Sequence, residues 1–74
     1  MDKEITLDLS GLLCPLPVLK ARKALLLMPA SQVLHVIATD PMAAIDLPHF
    51  CNEQGYELIK RDGLEFWIRK APSP

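Results

Sequence analysis

Closely spaced cysteines are missing from this sequence, and their absence excludes several kinds of site. The chain has two cysteines, Cys14 and Cys51, and no C-x-x-C motif. Together with the two histidines, they cannot make a four-ligand zinc site at standard spacings. Because a reducing cytosol disfavours structural disulfides, we expect two free thiols, no metal and no bound cofactor.

The sequence also lacks an excess of charge and a long apolar run. Its formal net charge is −1, whereas nucleic-acid-binding domains usually carry a basic stripe. No segment approaches the roughly 20 apolar residues that span a membrane, and the charged residues 1–4 do not resemble a signal peptide. We therefore expect a cytoplasmic protein that contacts neither nucleic acid nor a membrane directly.

The 74 residues, 50% of them hydrophobic, suffice for one small domain with a thin core. We expect this single domain to span residues 1–74, with a frayed tail at 71–74. We expect it to be a monomer.

Alternation and helical spacing predict the first three elements. Residues 5–9 and 33–39 have the alternating or β-branched pattern of strands. The prolines in the run 15–17 indicate that a helix begins there, with Cys14 near its cap, and it runs to Met28. Four residues of this helix are spaced to face the core: Val18, Ala21, Leu25 and Met28.

A second helix and a hairpin complete the predicted fold. The helix follows Asp40-Pro41 and ends at Gly55, and Pro48 should kink or split it. Its expected apolar face comprises Ala44, Leu47, Pro48 and Cys51. Strands at 56–61 and 64–70 flank an Asp62-Gly63 turn. The order β-α-β-α-β-β predicts an α/β two-layer sandwich, with a four-stranded mixed sheet and two helices on one face.

Cys14 is the candidate reactive residue. It precedes a helix N-terminus at the sheet edge where open α/β folds place their chemistry, and helix N-termini stabilise thiolates. The neighbouring prolines remove two N–H donors but fix the backbone, and Lys20 and Arg22 lie near enough in sequence to add positive potential. With no histidine nearby to act as a base, we interpret Cys14 as a thiolate for simple exchange. The alternative is a small buried hydrophobic residue, which is our interpretation of Cys51.

Several polar residues have a structural and a functional interpretation. Asp40 is a helix cap that should also lie beside Cys14, where it could touch a partner. His35, on the strand face away from the helices, should be solvated or face a partner rather than bind a metal. His49 has no companion at ligand spacing.

Apolar residues outside the predicted core suggest contact surfaces. Trp67 should lie on the open sheet face with Val33 and Ile37, either as an exposed patch or in ordinary cross-strand packing. The helix-one leucines outside the core stripe are either partner contacts or scattered surface residues: Leu19, Leu26 and Leu27.

Residues 11–17, Gly-Leu-Leu-Cys-Pro-Leu-Pro, resemble the C-P-x-P signature of the TusA family, also called SirA-like or YhhP-like proteins. Residues 40–41, 46–51 and 55–58 resemble the segments that follow in that family. The resemblance extends from Thr6 to Arg69.

The resemblance implies a sulfur carrier that holds a persulfide on a catalytic Cys14, with Gly11, Pro15 and Pro17 as motif and positioning residues. A cysteine desulfurase or a rhodanese-type protein would load the sulfur, and an acceptor sulfur-relay protein would receive it. Such relays end in tRNA thiolation, molybdenum cofactor or other sulfur metabolism. The chain would then be a sulfurtransferase acting through a cysteine persulfide.

Two positions depart from the family pattern. Leu13 and Leu16 stand where members devoted to tRNA thiolation often have a basic and an acidic residue, and this apolar rim suggests a different partner or acceptor. The expected partner-binding residues are Leu13, Leu16, Leu19, Arg22 and Asp40.

Two other functions stay open. The chain could be a non-catalytic interaction or regulatory module that docks through the helix-one leucines and the open sheet face. It could also be a redox switch using Cys14 and Cys51, although a core position for Cys51 disfavours this.

Overall fold

The computed structural model describes residues 4–70 and has a four-stranded mixed sheet with two helices packed on one face. Its elements in chain order are β1 (Ile5–Leu9), α1 (Leu16–Leu27), β2 (Val33–Ala38), α2 (Ala43–Gln54), β3 (Tyr56–Asp62) and β4 (Glu65–Lys70). The predicted β-α-β-α-β-β order and two-layer arrangement are confirmed. The predicted tail at 71–74, and residues 1–3 of the charged start, lie outside the described residues.

The strand order β1-β2-β4-β3 brings the ends of β1 and β2 together. These two strands are parallel, and the register pairs Leu9 with Ala38, the last residue of each strand. A parallel pair needs a crossover, which α1 supplies. Both β2–β4 and β3–β4 are antiparallel. The chain therefore enters both helices from the same edge of the sheet.

The core lies between the helices and one face of the sheet. Its least exposed members alternate along β2 and β4, since successive strand residues point to opposite faces. The buried residues of these two strands are Leu34, Val36, Ala38, Phe66 and Ile68. No helix within residues 4–70 is long and apolar enough to cross a membrane.

Helix α1 follows the predicted pattern closely. Pro15 is its N-cap and Pro17 its second residue, positions at which the missing N–H removes no helical bond. Ala21, Leu25 and Met28 are buried, and Val18 packs against the core, so the predicted stripe is confirmed.

Helix α2 differs from its prediction in two respects. The helix runs through Pro48 without a break, so the predicted split is wrong. The proline removes one N–H from the ladder, while buried Leu47 and Cys51 anchor the helix on both sides. The buried face is also rotated, because Ala43 and Phe50 are buried where Ala44 and Pro48 were expected. Gly55 ends the helix at φ 74°, as predicted.

The hairpin turn lies one residue beyond its predicted place. Asp62 pairs with Glu65, so the loop is Gly63 and Leu64. Gly63 has φ 60°, while Leu64 does not have a positive φ. This is the pattern of a type II′ turn, with glycine in the first loop position; an Asp-Gly loop of type I′ would need a positive φ at Asp62.

Candidate functional site

The loops that follow β1 and β2 are hydrogen-bonded to each other at one edge of the sheet. The Gly11 N–H donates to Thr39 Oγ1 at 2.8 Å, and the Cys14 N–H donates to Asp40 Oδ2 at 2.7 Å. Gly11 has φ 83°, a conformation that glycine adopts at no steric cost. The predicted meeting of Cys14 and Asp40 at this edge is therefore confirmed.

Asp40 connects the two loops with both of its carboxylate oxygens. While Oδ2 accepts from Cys14, Oδ1 accepts the N–H of Met42 at 3.0 Å, which forms a turn ahead of α2. The helix begins two residues later than the predicted cap at Asp40, with Met42 as its N-cap. Asp40 is buried, so its first role is structural, and its predicted contact with a partner stays a prediction.

Cys14 lies just before α1, and its side chain is exposed. The Cys14–Pro15 peptide bond is cis. The Sγ atom donates a hydrogen bond to Asp46 Oδ2 at 2.9 Å, and Asp46 belongs to the first turn of α2. The thiol is thus held between the N-terminal ends of both helices.

The surroundings of Cys14 raise its pKa above the usual value for a thiol, which weighs against the predicted resting thiolate. The hydrogen bond to Asp46 is the main cause, followed by partial loss of solvent and by the negative charges of Asp46 and Asp40. Each of these favours the protonated thiol. Neither Lys20 nor Arg22 is among the groups that shift this pKa.

The helix N-terminus fails to offset the carboxylates because few N–H donors remain there. Pro15 and Pro17 have none. Leu16 donates its N–H to the Leu13 carbonyl at 2.8 Å, and the Cys14 N–H is bound to Asp40. The free donors that stabilise an anion at a helix N-terminus are therefore mostly absent.

A shallow groove of about 270 Å³ runs beside the thiol. It is lined by Cys14, Pro15, Val18, Asp46, His49, Phe50 and Glu53. His49 Nε2 lies 3.2 Å from Glu53 Oε1 on the outer surface of α2. Among the described residues, no lysine or arginine lines this groove.

Exposed apolar side chains surround the same edge. Leu13, just before the thiol, is 67% exposed, and Leu16, just after it, is 42% exposed. Met42 and Ile45 at the start of α2 are exposed as well. The apolar rim predicted from Leu13 and Leu16 is thus present, and its role in partner binding, like that of Leu19 and Arg22, stays a prediction.

Cys51 is a core residue, as predicted. It is 2% exposed on the inner face of α2, and its burial raises the pKa of the thiol to about 11. A thiol so enclosed and so weakly acidic is a poor nucleophile. This placement weighs against a redox switch that joins it to Cys14.

The open sheet face carries a ring stack rather than a bare apolar patch. His35 stacks on Trp67 with ring centroids 4.2 Å apart, and His35 Nε2 lies 2.8 Å from Glu65 Oε1. Lys60 Nζ lies 4.7 Å from the centre of the Trp67 ring. Trp67 therefore takes part in cross-strand packing, and His35 is largely covered instead of solvated.

Sequence reasoning missed Asp46 as the partner of Cys14. Thirty-two positions separate the two residues, so no local pattern connects them. The available signal was the position of Asp46 in the first turn of a helix that begins at the same sheet edge. Within residues 4–70, no group of three or more His, Cys, Asp or Glu side chains could hold a metal ion.

The sequence matches a known family model along most of its length. The model, described as "Sulfurtransferase TusA", covers residues 5–70. The sulfur carrier protein TusA of Allochromatium vinosum is 49% identical over 74 residues, covering 95% of this chain and 97% of that protein. The sulfur carrier protein TusA of Pseudomonas savastanoi pv. phaseolicola is 40% identical, covering 93% of this chain and 87% of that protein.

A solved structure is similar as well. The crystal structure of a SirA-like protein from Desulfitobacterium hafniense superposes with a TM-score of 0.63 at 30% sequence identity. The match covers 85% of this chain and 89% of that one. Sequence and fold thus lead to the same group of proteins.

Proposed function

This chain belongs to the TusA family of sulfur carriers, and we propose that it carries sulfur as a persulfide on Cys14. A carrier must exchange sulfur with a donor and with an acceptor, so the sulfur atom has to be reached from outside. The observation that supports Cys14 most directly is its exposure at the end of the sheet, whereas Cys51 is enclosed in the core.

The proposed chemistry is thiol–disulfide exchange with one sulfur atom as cargo. After Cys14 loses its proton to water, its thiolate attacks the terminal sulfur of a donor persulfide. The new S–S bond forms on Cys14 while the donor S–S bond breaks, and the donor sulfur leaves as a thiolate that takes up a proton. An acceptor thiolate then attacks the same terminal sulfur and releases Cys14, with no net oxidation.

The proposed donor is a cysteine desulfurase or a rhodanese-type protein, and the proposed acceptor is another sulfur-relay protein. Relays ending in tRNA thiolation, in molybdenum cofactor or in other sulfur metabolism fit this scheme. The persulfide would be the covalent intermediate, and the reaction as written uses no further cofactor. A cytoplasmic location would keep the carrier thiol reduced between transfers.

Loading with sulfur tests this proposal. The purified protein is incubated with a cysteine desulfurase and cysteine, or with a rhodanese and thiosulfate, and its intact mass is measured. We expect a gain of one sulfur atom in the wild type and in Cys51→Ser, and none in Cys14→Ser. Loading that persists in Cys14→Ser would remove Cys14 from the proposal.

An interaction module is the second candidate, because α1 exposes leucines that its core packing does not use. Leu19 is 52%, Leu26 57% and Leu27 80% exposed. If docking alone were the function, Cys14→Ser would be silent in cells while Leu26→Asp would not. A carrier predicts the opposite for Cys14→Ser.

A further inference from the structure

The Asp46 carboxylate that accepts the hydrogen bond from Cys14 also faces an open groove. Its Oδ2 atom accepts from Sγ at 2.9 Å, and both residues line the groove beside α2. No ion pair within residues 4–70 includes Asp46: the three that are present join His35 to Glu65, His49 to Glu53, and Arg69 to Glu57. Among the described residues, the carboxylate of Asp46 thus has no cationic partner.

The other carboxylates near the thiol are already engaged. Asp40 is buried, and its two oxygens accept the N–H groups of Cys14 and Met42. Glu53 lies against His49, about two helical turns from Asp46. Of the three, Asp46 alone combines contact with Sγ, access from the groove and no charged partner.

The contact between Asp46 and Cys14 would hinder sulfur exchange unless the binding of a partner changes it. The thiolate is the nucleophile in sulfur exchange, but a carboxylate in contact with Sγ favours the protonated thiol. A positive charge placed on Asp46 would neutralise the carboxylate and compete for Oδ2. The same contact would then attract the partner and release the thiol.

We propose, on the basis of the function proposed above, that Asp46 is the contact for a cationic group of the sulfur-relay partner, and that this ion pair frees Cys14 for reaction. The partner is therefore a persulfide or thiol protein that carries a lysine or arginine beside its reacting sulfur. Without such a partner, Cys14 stays a protonated, hydrogen-bonded thiol that reacts slowly with uncharged or anionic reagents.

Small disulfides of different charge test this directly, because they report on Cys14 without any sulfur-relay protein. The wild type is treated at neutral pH and low salt with cystamine, 2-hydroxyethyl disulfide or 3,3′-dithiodipropionate, which are cationic, neutral and anionic. Mixed-disulfide formation on Cys14 is followed by mass spectrometry. Each reagent loses one thiolate as its other half bonds to Sγ, and the three leaving thiols differ in pKa as well as in charge. Each rate is therefore divided by the rate of the same reagent with a small neutral thiol, N-acetylcysteinamide, and the rates compared below are these ratios.

We expect cystamine to react about fivefold or more faster than the anionic disulfide, the factor for one pair of charges in contact in water. This preference should shrink as salt screens the charges. In Asp46→Asn the ratio of the cystamine rate to the rate of the anionic disulfide should fall towards one. The neutral disulfide should react faster with this variant than with the wild type. Glu53→Gln, which removes the same charge from the same groove without touching Sγ, should keep most of the preference.

Equal rates for the three disulfides with the wild type at low salt would overturn the inference. A loss of the charge preference in Glu53→Gln as large as that in Asp46→Asn would also overturn it. The preference would then come from the overall negative charge of the groove and not from the contact between Asp46 and Sγ. Loading with sulfur separates this from the proposed function: a chain that loads on Cys14 but shows no charge preference refutes only the inference. A chain with the charge preference that never loads refutes the proposed function and leaves only the contact of Asp46 with cations.

Discussion

The two cysteines of this chain show how position alone can assign different chemistry to the same side chain. Cys14 precedes α1 at the sheet edge, where its thiol is exposed and hydrogen-bonded to Asp46. Cys51 lies inside α2 with 2% exposure. Both have a raised pKa, but a carboxylate is the main cause for Cys14 and burial is the cause for Cys51.

The difference matters because the two causes respond to different changes. A hydrogen bond to a surface carboxylate can be broken by a partner, by a cation or by a single substitution. Burial can be reversed only by opening the core. The comparison therefore predicts that a partner or a substitution can change the reactivity of Cys14 but not that of Cys51. Three experiments test this difference.

The largest expected difference is in alkylation of the native protein. With iodoacetamide at neutral pH, we expect Cys14 to react roughly a hundredfold or more faster than Cys51, because a buried thiol reacts only through rare openings. Peptide mass spectrometry after timed quenching gives both rates from one sample, and a sample in denaturant should bring them close together. Faster modification of Cys51 in the native fold would reverse the assignment of the two thiols.

The next effect is a loss of stability at alkaline pH that comes from Cys51. Its folded pKa of about 11 lies above the ordinary thiol value of 9.0, so the neutral thiol stabilises the fold fully below pH 9. This contribution, about 2–3 kcal/mol, is lost as the pH rises from 9 towards 11. Urea unfolding across this range should show a flatter pH dependence in Cys51→Ala than in the wild type.

Cys14→Ala serves as the matched control for that experiment. Its thiol is exposed, so we expect its pH profile to stay nearly parallel to that of the wild type. If the Cys51→Ala profile were also parallel to the wild type between pH 9 and 11, burial would not be controlling the Cys51 thiol.

The smallest of the three effects separates the two aspartates beside Cys14. Asp40→Ala leaves the Cys14 and Met42 N–H groups without their acceptor, and we expect it to lower the free energy of unfolding by about 1–3 kcal/mol. Asp46→Asn changes a contact at the surface and should stay within about 0.5 kcal/mol of the wild type. Denaturant midpoints measure both, and an equal loss in the two variants would mean that Asp46 is structural too.

Much of the fold could be predicted because the signals are local. The N-terminal position of Pro15 and Pro17, the Gly55 helix end and the alternation along β2 each follow from the conformational limits of a few neighbouring residues. Pro48 was misleading because its local effect is only a lost hydrogen bond, which the buried residues on either side outweigh. The one-residue shift of the hairpin turn reflects the choice between two turn types that both favour glycine.

The position of the candidate site was predictable from the sequence, but the protonation state of the Cys14 thiol was not. The topology brings Cys14 and Asp40 to one edge, and that much follows from the order of the elements. The state of the thiol depends on Asp46, which reaches Sγ from another helix. No spacing rule gives such a contact, so the sequence favoured a thiolate where the contact with Asp46 favours the protonated thiol.

The most direct test of the carrier role is to locate transferred sulfur within the wild-type chain. After loading by a cysteine desulfurase with cysteine, the persulfide is trapped by alkylation and the peptides are separated by mass spectrometry. We predict one additional sulfur atom on the Cys14 peptide and none on the Cys51 peptide. Sulfur found on Cys51, or an unmodified Cys14 after complete turnover of the donor, would contradict the account.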